Sequence, residues 1–147
     1  MSREYPDRPV VGVGAVVWRD ARVLLIRRGR PPRLGQWSLP GGAQQLGETL
    51  IEAVSREVLE ETGLVLQSLR FLTTIDLIER SEDGRVRYHY TLVDYVAEAP
   101  SGEATAGDDA AAVAWFELGE LPALGLWSET VRIIHLAADL RGRSRDF

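Results

Sequence analysis

The chain has 147 residues, 45% hydrophobic and 27% charged, which is enough for a real core and points to one domain over residues 1–147. With no cysteine, a disulfide framework, thiol catalysis and a Cys-ligated metal are excluded. A net charge of −5 argues against general nucleic-acid binding, and no apolar run is long enough to cross a bilayer or serve as a signal-peptide core in MSREYPDRPV, so the cytoplasm is the expected compartment.

All 17 basic residues are arginine, whose planar fork suits phosphate. The stretch 10–18 (VVGVGAVVW) reads as a buried strand, 20–22 as a turn and 23–28 (VLLIRR) as a second strand. Arg27, Arg28, Arg30 and Arg33 then cluster around Pro31 and Pro32. Such a cluster is either an exposed loop or a rim that faces phosphate, since a glycine turn lies just downstream. Pro40-Gly41-Gly42 is that turn, and it lets backbone approach closely. Trp37, just before it, reads as a packing residue.

A helix is expected from about Glu48–Thr49, with Ile51, Val54 and Val58 as its apolar stripe and Gly63 as its stop. Small Ala53 lies on the acidic face and leaves room for a ligand. Residues 65–79 carry one or two strands, and Ser81–Gly84 is a hairpin loop with an Asp-Gly signal. Residues 87–98 form a long strand, with Arg87, His89, Thr91 and Val93 on one face and Tyr88, Tyr90 and Leu92 on the other. His89 reads as structural, because no activating partner is visible. Residues 99–109 form an acidic loop holding Glu103, Asp108 and Asp109, followed by a strand over 112–117 and a short helical entry over 118–122. A C-terminal helix over 130–140 buries parts of Val131, Ile134, Leu136 and Ala138, and the tail RGRSRDF is expected to fray.

The chemistry is concentrated in residues 42–64, GAQQLGETLIEAVSREVLEETGL. Residues three and four apart share a helix face, so Glu57, Glu60 and Glu61 fall within an arc of about 100°. Carboxylates gathered there suit a hard cation. A merely solvated face would be built differently. These acids sit in the last turns, where the helix dipole disfavours anions. Only Arg56 can serve Glu60 from within the helix, and Glu52 competes for it.

This block resembles the signature of the Nudix hydrolase family: Gly, five residues, Glu, seven residues, Arg-Glu, an aliphatic and any residue, Glu-Glu, any residue, Gly, aliphatic. Gly42, Glu48, Arg56, Glu57, Val58, Glu60, Glu61, Gly63 and Leu64 occupy its constrained positions. Gln45 stands where many members carry Glu. Chain order alone leaves the fold at α/β or α+β. The resemblance implies a mixed sheet between helices, an α/β/α sandwich.

It further implies water attack on a diphosphate, with Mg²⁺ or Mn²⁺ held by Glu57, Glu60, Glu61 and the Gly41 carbonyl. Arg56 would orient carboxylates, Glu48, Gly42 and Gly63 would support the turn and helix, and Arg27, Arg28 and Arg33 would face the substrate. Glu57 is the first choice for the general base, with Asp109, Glu103 and Glu82 as loop alternatives. The expected substrate is a nucleoside diphosphate derivative such as ADP-ribose, by resemblance over residues 14–64 and the tail segment ELPALGLW. Oxidised nucleoside triphosphates, and a non-enzymatic nucleotide sensor, are the alternatives. The implied partners are a nucleoside diphosphate or triphosphate, with no nucleic acid and no membrane, and a homodimer left open.

Overall fold

The computed structural model describes residues 3–31, 33–107 and 109–145, with side chains to Gly142 and Arg143 at the C-terminal end. Pro32 of the arginine loop, Asp108 of the acidic loop, and residues 1, 2, 146 and 147 lie outside the described residues.

The central strand β1 (Val10–Arg19) is punctuated by Gly12 and Gly14 and carries five valines. It runs parallel to β6 (Val86–Glu98) in register from Val10↔Tyr90 to Trp18↔Glu98. Next to β6 lies the antiparallel β5 (Gln67–Arg80), one continuous strand where one or two were expected. On the other side of β1 its end pairs with β2 (Arg22–Arg28), and its start pairs with the short β4 (Gly41–Ala43). The strand β2 also carries β3 (Trp37–Ser38) and β7 (Ala110–Glu117) as antiparallel neighbours. The sheet is therefore mixed, as expected.

Alternation along the strands sorts side chains into two layers. Val13, Ala15, Val17, Val93 and Tyr95 pack under α1 (Leu50–Thr62). Val16, Trp18, Val23, Leu25 and Val96 pack under α2 (Ser128–Arg145) on the opposite face. Helices thus cover both faces of one sheet, and the sandwich architecture holds.

Several expectations need correction. Ile51 is 50% exposed, because the covering face of α1 runs through Leu50, Ala53, Val54 and Val58, one residue round from it. Ala53 is fully buried in that core and leaves no ligand space on the acidic face. In α2 the buried face is Thr130, Ile133, Ile134 and Ala137, so Leu136 points outward. The helix also continues to Arg145 instead of fraying after Leu140. Arg141 anchors the extension. Its guanidinium grips both oxygens of Glu98 at 2.8 and 2.9 Å, donates to the Asp20 carbonyl at 2.6 Å and lies over the Trp18 ring.

Candidate functional site

The helix α1 starts with a capping box: the Thr49 hydroxyl accepts from the Glu52 N–H, and the Glu52 carboxylate accepts from the Thr49 N–H. That use of Glu52 removes it as a competitor for Arg56. Gly63 closes the helix at φ 75°, a left-handed conformation suited to glycine.

The last turn of α1 contains no basic residue. Its free carbonyls are met by the acidic loop instead: the Thr105 N–H donates to the Thr62 carbonyl at 2.9 Å, and the Gly107 N–H to the Glu61 carbonyl at 3.0 Å. Helix-end carbonyls need such partners. A β-carbon on Gly107 would lie 2.4 Å from the Glu60 carbonyl, so this approach requires glycine. The Gly29 N–H then binds the Asp109 carbonyl at 2.8 Å, holding the loop's end against the arginine loop.

Arg56 is the hub of the signature. Its guanidinium grips Glu48 through two bonds of 2.6 and 3.0 Å, and reaches Glu57 at 2.9 Å and Glu60 at 3.2 Å. It also donates to the Ala43 carbonyl at 3.0 Å, tying the helix to β4. Glu48 in turn accepts from the Gln45 N–H at 2.8 Å. The Glu48 carboxyl is held below its ordinary range by Arg56 first and that N–H second.

Glu61 is 7% exposed, and its carboxylate accepts from the Gly41 N–H at 2.8 Å. Burial pushes its pKa up to about 7 despite that bond. Glu57 is also raised, by burial first and against the pull of Arg56. Its carboxylate lies where a side chain on Gly42 would stand, 2.3 Å from that β-carbon. Glu60 is the most open of the three.

Among the described residues, no three acidic or histidine side chains close around a metal position as they stand. The donor set nevertheless fits a hard divalent cation. Two carboxylates are raised mainly by desolvation, a cost that the charge of a bound cation would offset, and the Gly42 gap admits Glu57 beside β4.

These groups open onto a cleft of about 750 Å³. Arg28, Arg30 and Arg33 line it; Arg27 does not, and its guanidinium lies over the Trp37 ring. Arg30 pairs with Asp109 at 2.8 Å. Arg33 pairs with Glu79 at 2.8 Å and lies over Trp127. Among the loop acids weighed for a base, Asp109 lines the cleft, whereas Glu82 and Glu103 do not. His89 is also outside the lining. Trp37 packs edge-on against Phe116 with centroids 5.1 Å apart. The face of β6 carrying Tyr88, Tyr90 and Leu92 forms the cleft floor, and this face continues to Asp94. Sequence reasoning passed over Asp94 and Trp127, although an acid inside TLVDYVA, at period two from Tyr90, was a usable signal.

The family model for the NUDIX domain matches residues 8–137. An ADP-ribose pyrophosphatase of Methanocaldococcus jannaschii is 37% identical over 123 residues, covering 84% of this chain and 70% of that protein. An oxidized purine nucleoside triphosphate hydrolase of Danio rerio is 29% identical over 116 residues, covering 79% of this chain and 71% of that protein. The NUDIX domain of Shewanella oneidensis NrtR, crystallised with ADP ribose, superposes with a TM-score of 0.77 at 25% identity, covering 90% of this chain and 88% of that one.

Proposed function

This chain belongs to the Nudix hydrolase family, and we propose that it cleaves the diphosphate of ADP-ribose or a related nucleoside diphosphate sugar into a nucleoside monophosphate and a sugar phosphate. The carrying observation is one continuous cleft that joins an acidic helix end, three arginines and an aromatic strand face. That sequence of surfaces suits, in turn, a metal-bridged diphosphate, its outer oxygens and a nucleoside.

Nudix hydrolases use divalent metal ions. Here Glu57, Glu60, Glu61 and the Gly41 carbonyl would hold Mg²⁺ or Mn²⁺. When bound, the ion neutralises phosphate charge and makes a bound water more acidic. The protein's own part is orientation and proton transfer. Arg56 fixes Glu57 and Glu60 from one side while Glu48 fixes Arg56 from the other. Glu57, raised by burial, is the proposed acceptor of the water proton, and Asp109 is the alternative. Arg28, Arg30 and Arg33 face the leaving phosphate's oxygens.

The Danio rerio relative favours a second reading, hydrolysis of an oxidised purine nucleoside triphosphate. A screen of both substrate classes with Mg²⁺, with products identified by chromatography, decides between them. AMP and ribose 5-phosphate support the first reading; a nucleoside monophosphate and pyrophosphate support the second.

A further inference from the structure

Asp94 stands apart from every acid used so far. Val93 and Tyr95 pack into the α1 layer, so Asp94 projects from the opposite face of the sheet, with Tyr88, Tyr90 and Leu92. It is 5% exposed and lines the cleft. Among the described residues no donor reaches its carboxylate, and burial alone raises its pKa, to about 6, with no contribution from the acidic helix. Among the described residues the buried side-chain atom left with no partner is Trp18 Nε1; the Asp94 oxygens still reach the cleft, where a ligand's donor can take the place of water.

The neighbouring strand makes room for this acid. Asp94 pairs in register with Gly14, and a β-carbon there would stand 2.7 Å from the Asp94 Oδ1. Gly12 does the same for Leu92, where a β-carbon would meet its Cδ2 at 2.7 Å. Two glycines spaced two apart on β1 therefore clear one patch of the cleft floor. Asp94 stands in that patch beside Leu92 and Tyr90.

The geometry points to Asp94 as the acceptor for a hydrogen-bond donor on the nucleoside half of the substrate, either an amino group of the base or a ribose hydroxyl. This assignment rests on the nucleotide-hydrolase reading above, but not on which nucleotide is cleaved. An acid that rejects nucleosides lacking the donor would set specificity without touching the diphosphate, because a ligand that covers it and offers no donor leaves it unpaired.

The test is equilibrium binding of nucleoside monophosphates in excess EDTA, so that turnover and metal play no part. The reference is the tighter of AMP and GMP. The probes are its 2′-deoxy and 3′-deoxy forms and the analogue lacking the exocyclic amine, purine riboside monophosphate or IMP. The wild-type chain should lose about tenfold or more in affinity for one probe. Asp94→Leu should flatten that difference while weakening the reference nucleotide. The probe that loses affinity separates base from ribose.

Equal affinity of the wild type for all probes, or no binding of either reference, overturns the assignment without using a variant at all. So does a folded Asp94→Leu chain that keeps the wild-type ratios. If ADP-ribose is not hydrolysed, the substrate reading fails while these ratios still decide the role of Asp94.

Discussion

A β-carbon on Gly42 would stand 2.3 Å from the Glu57 carboxylate, whereas one on Gly41 would stand 2.0 Å from the Val13 carbonyl oxygen. Adjacent glycines thus serve different ends. The first neighbour is the tip of a flexible side chain, and the second is backbone inside the sheet. Gly42→Ala should fold and lose roughly 10- to 100-fold in kcat, because it displaces the carboxylate proposed to take the water proton. Gly41→Ala should lose stability by about 1–3 kcal/mol or more, because strand β4 must move. Thermal denaturation and steady-state kinetics on the pair check this; an unchanged kcat for Gly42→Ala would show that Glu57 does not need the gap.

Glu57→Gln should reduce kcat by at least about 10²-fold, the scale of losing an acid-base or metal-holding group. Its Tm should hold or rise slightly, since a half-buried carboxylate near a helix C-terminus is removed. Activity should need Mg²⁺ or Mn²⁺ and vanish with EDTA. Asp109→Asn tests the alternative base, and Glu103→Gln should be nearly silent, because Glu103 lies outside the cleft lining. Full turnover by Glu57→Gln would move the role to the loop.

Arg56→Lys keeps the charge but not the fork. The wild-type guanidinium serves Glu48, Glu57, Glu60 and the Ala43 carbonyl at once, and an ammonium cannot match that spread. A loss of about 10- to 100-fold in kcat, together with a lower Tm, is expected. Retention of both values would mean that the carboxylates are positioned without it.

Asp94 gives a stability prediction with a definite sign. Its pKa is raised from 3.8 to about 6 by burial, so the folded state binds the proton more tightly than the unfolded chain. Its contribution is therefore fully present below about pH 3.8 and is lost as pH rises through about 6. The span is at most about 3 kcal/mol, at 1.36 kcal/mol per unit. Denaturant titrations of the wild type and Asp94→Asn across pH 3.5–7 should converge at the acid end and favour the variant at neutral pH, on the order of this span. Parallel curves would show that Asp94 is not desolvated in solution.

How much of this was legible follows from which atoms carry each feature. The acidic helix could be read because its caps, period and charges are all side-chain facts at fixed spacing, from Thr49 to Gly63. The hold of the acidic loop on that helix could not, because Thr105 and Gly107 act through backbone N–H groups that any residue possesses. Strand alternation placed Tyr88, Tyr90 and Leu92 together, but it does not say which face meets a helix and which a cleft. The separation of Arg28 from Arg27 has the same origin: neighbours on a strand point opposite ways, and only the packed sheet shows which way is inward. The continuation of α2 depends on Arg141 meeting Glu98, a pairing 43 residues apart in the chain.

The substrate prediction rests on products. Hydrolysis of ADP-ribose adds one water across the diphosphate and gives AMP and ribose 5-phosphate. An oxidised dGTP would give the monophosphate and pyrophosphate. The acidic helix end, the arginines and the aromatic strand face all line one cleft, so a ligand with groups on both sides of its diphosphate engages more of the site than a triphosphate tail does. The kcat/KM for ADP-ribose should therefore exceed that for oxidised dGTP. A tenfold preference for oxidised dGTP over every diphosphate sugar, about 1.4 kcal/mol in the transition state, would reverse the assignment of substrate. The roles given to Glu57 and Arg56 would stand under either result, because both substrates place a diphosphate against the same helix.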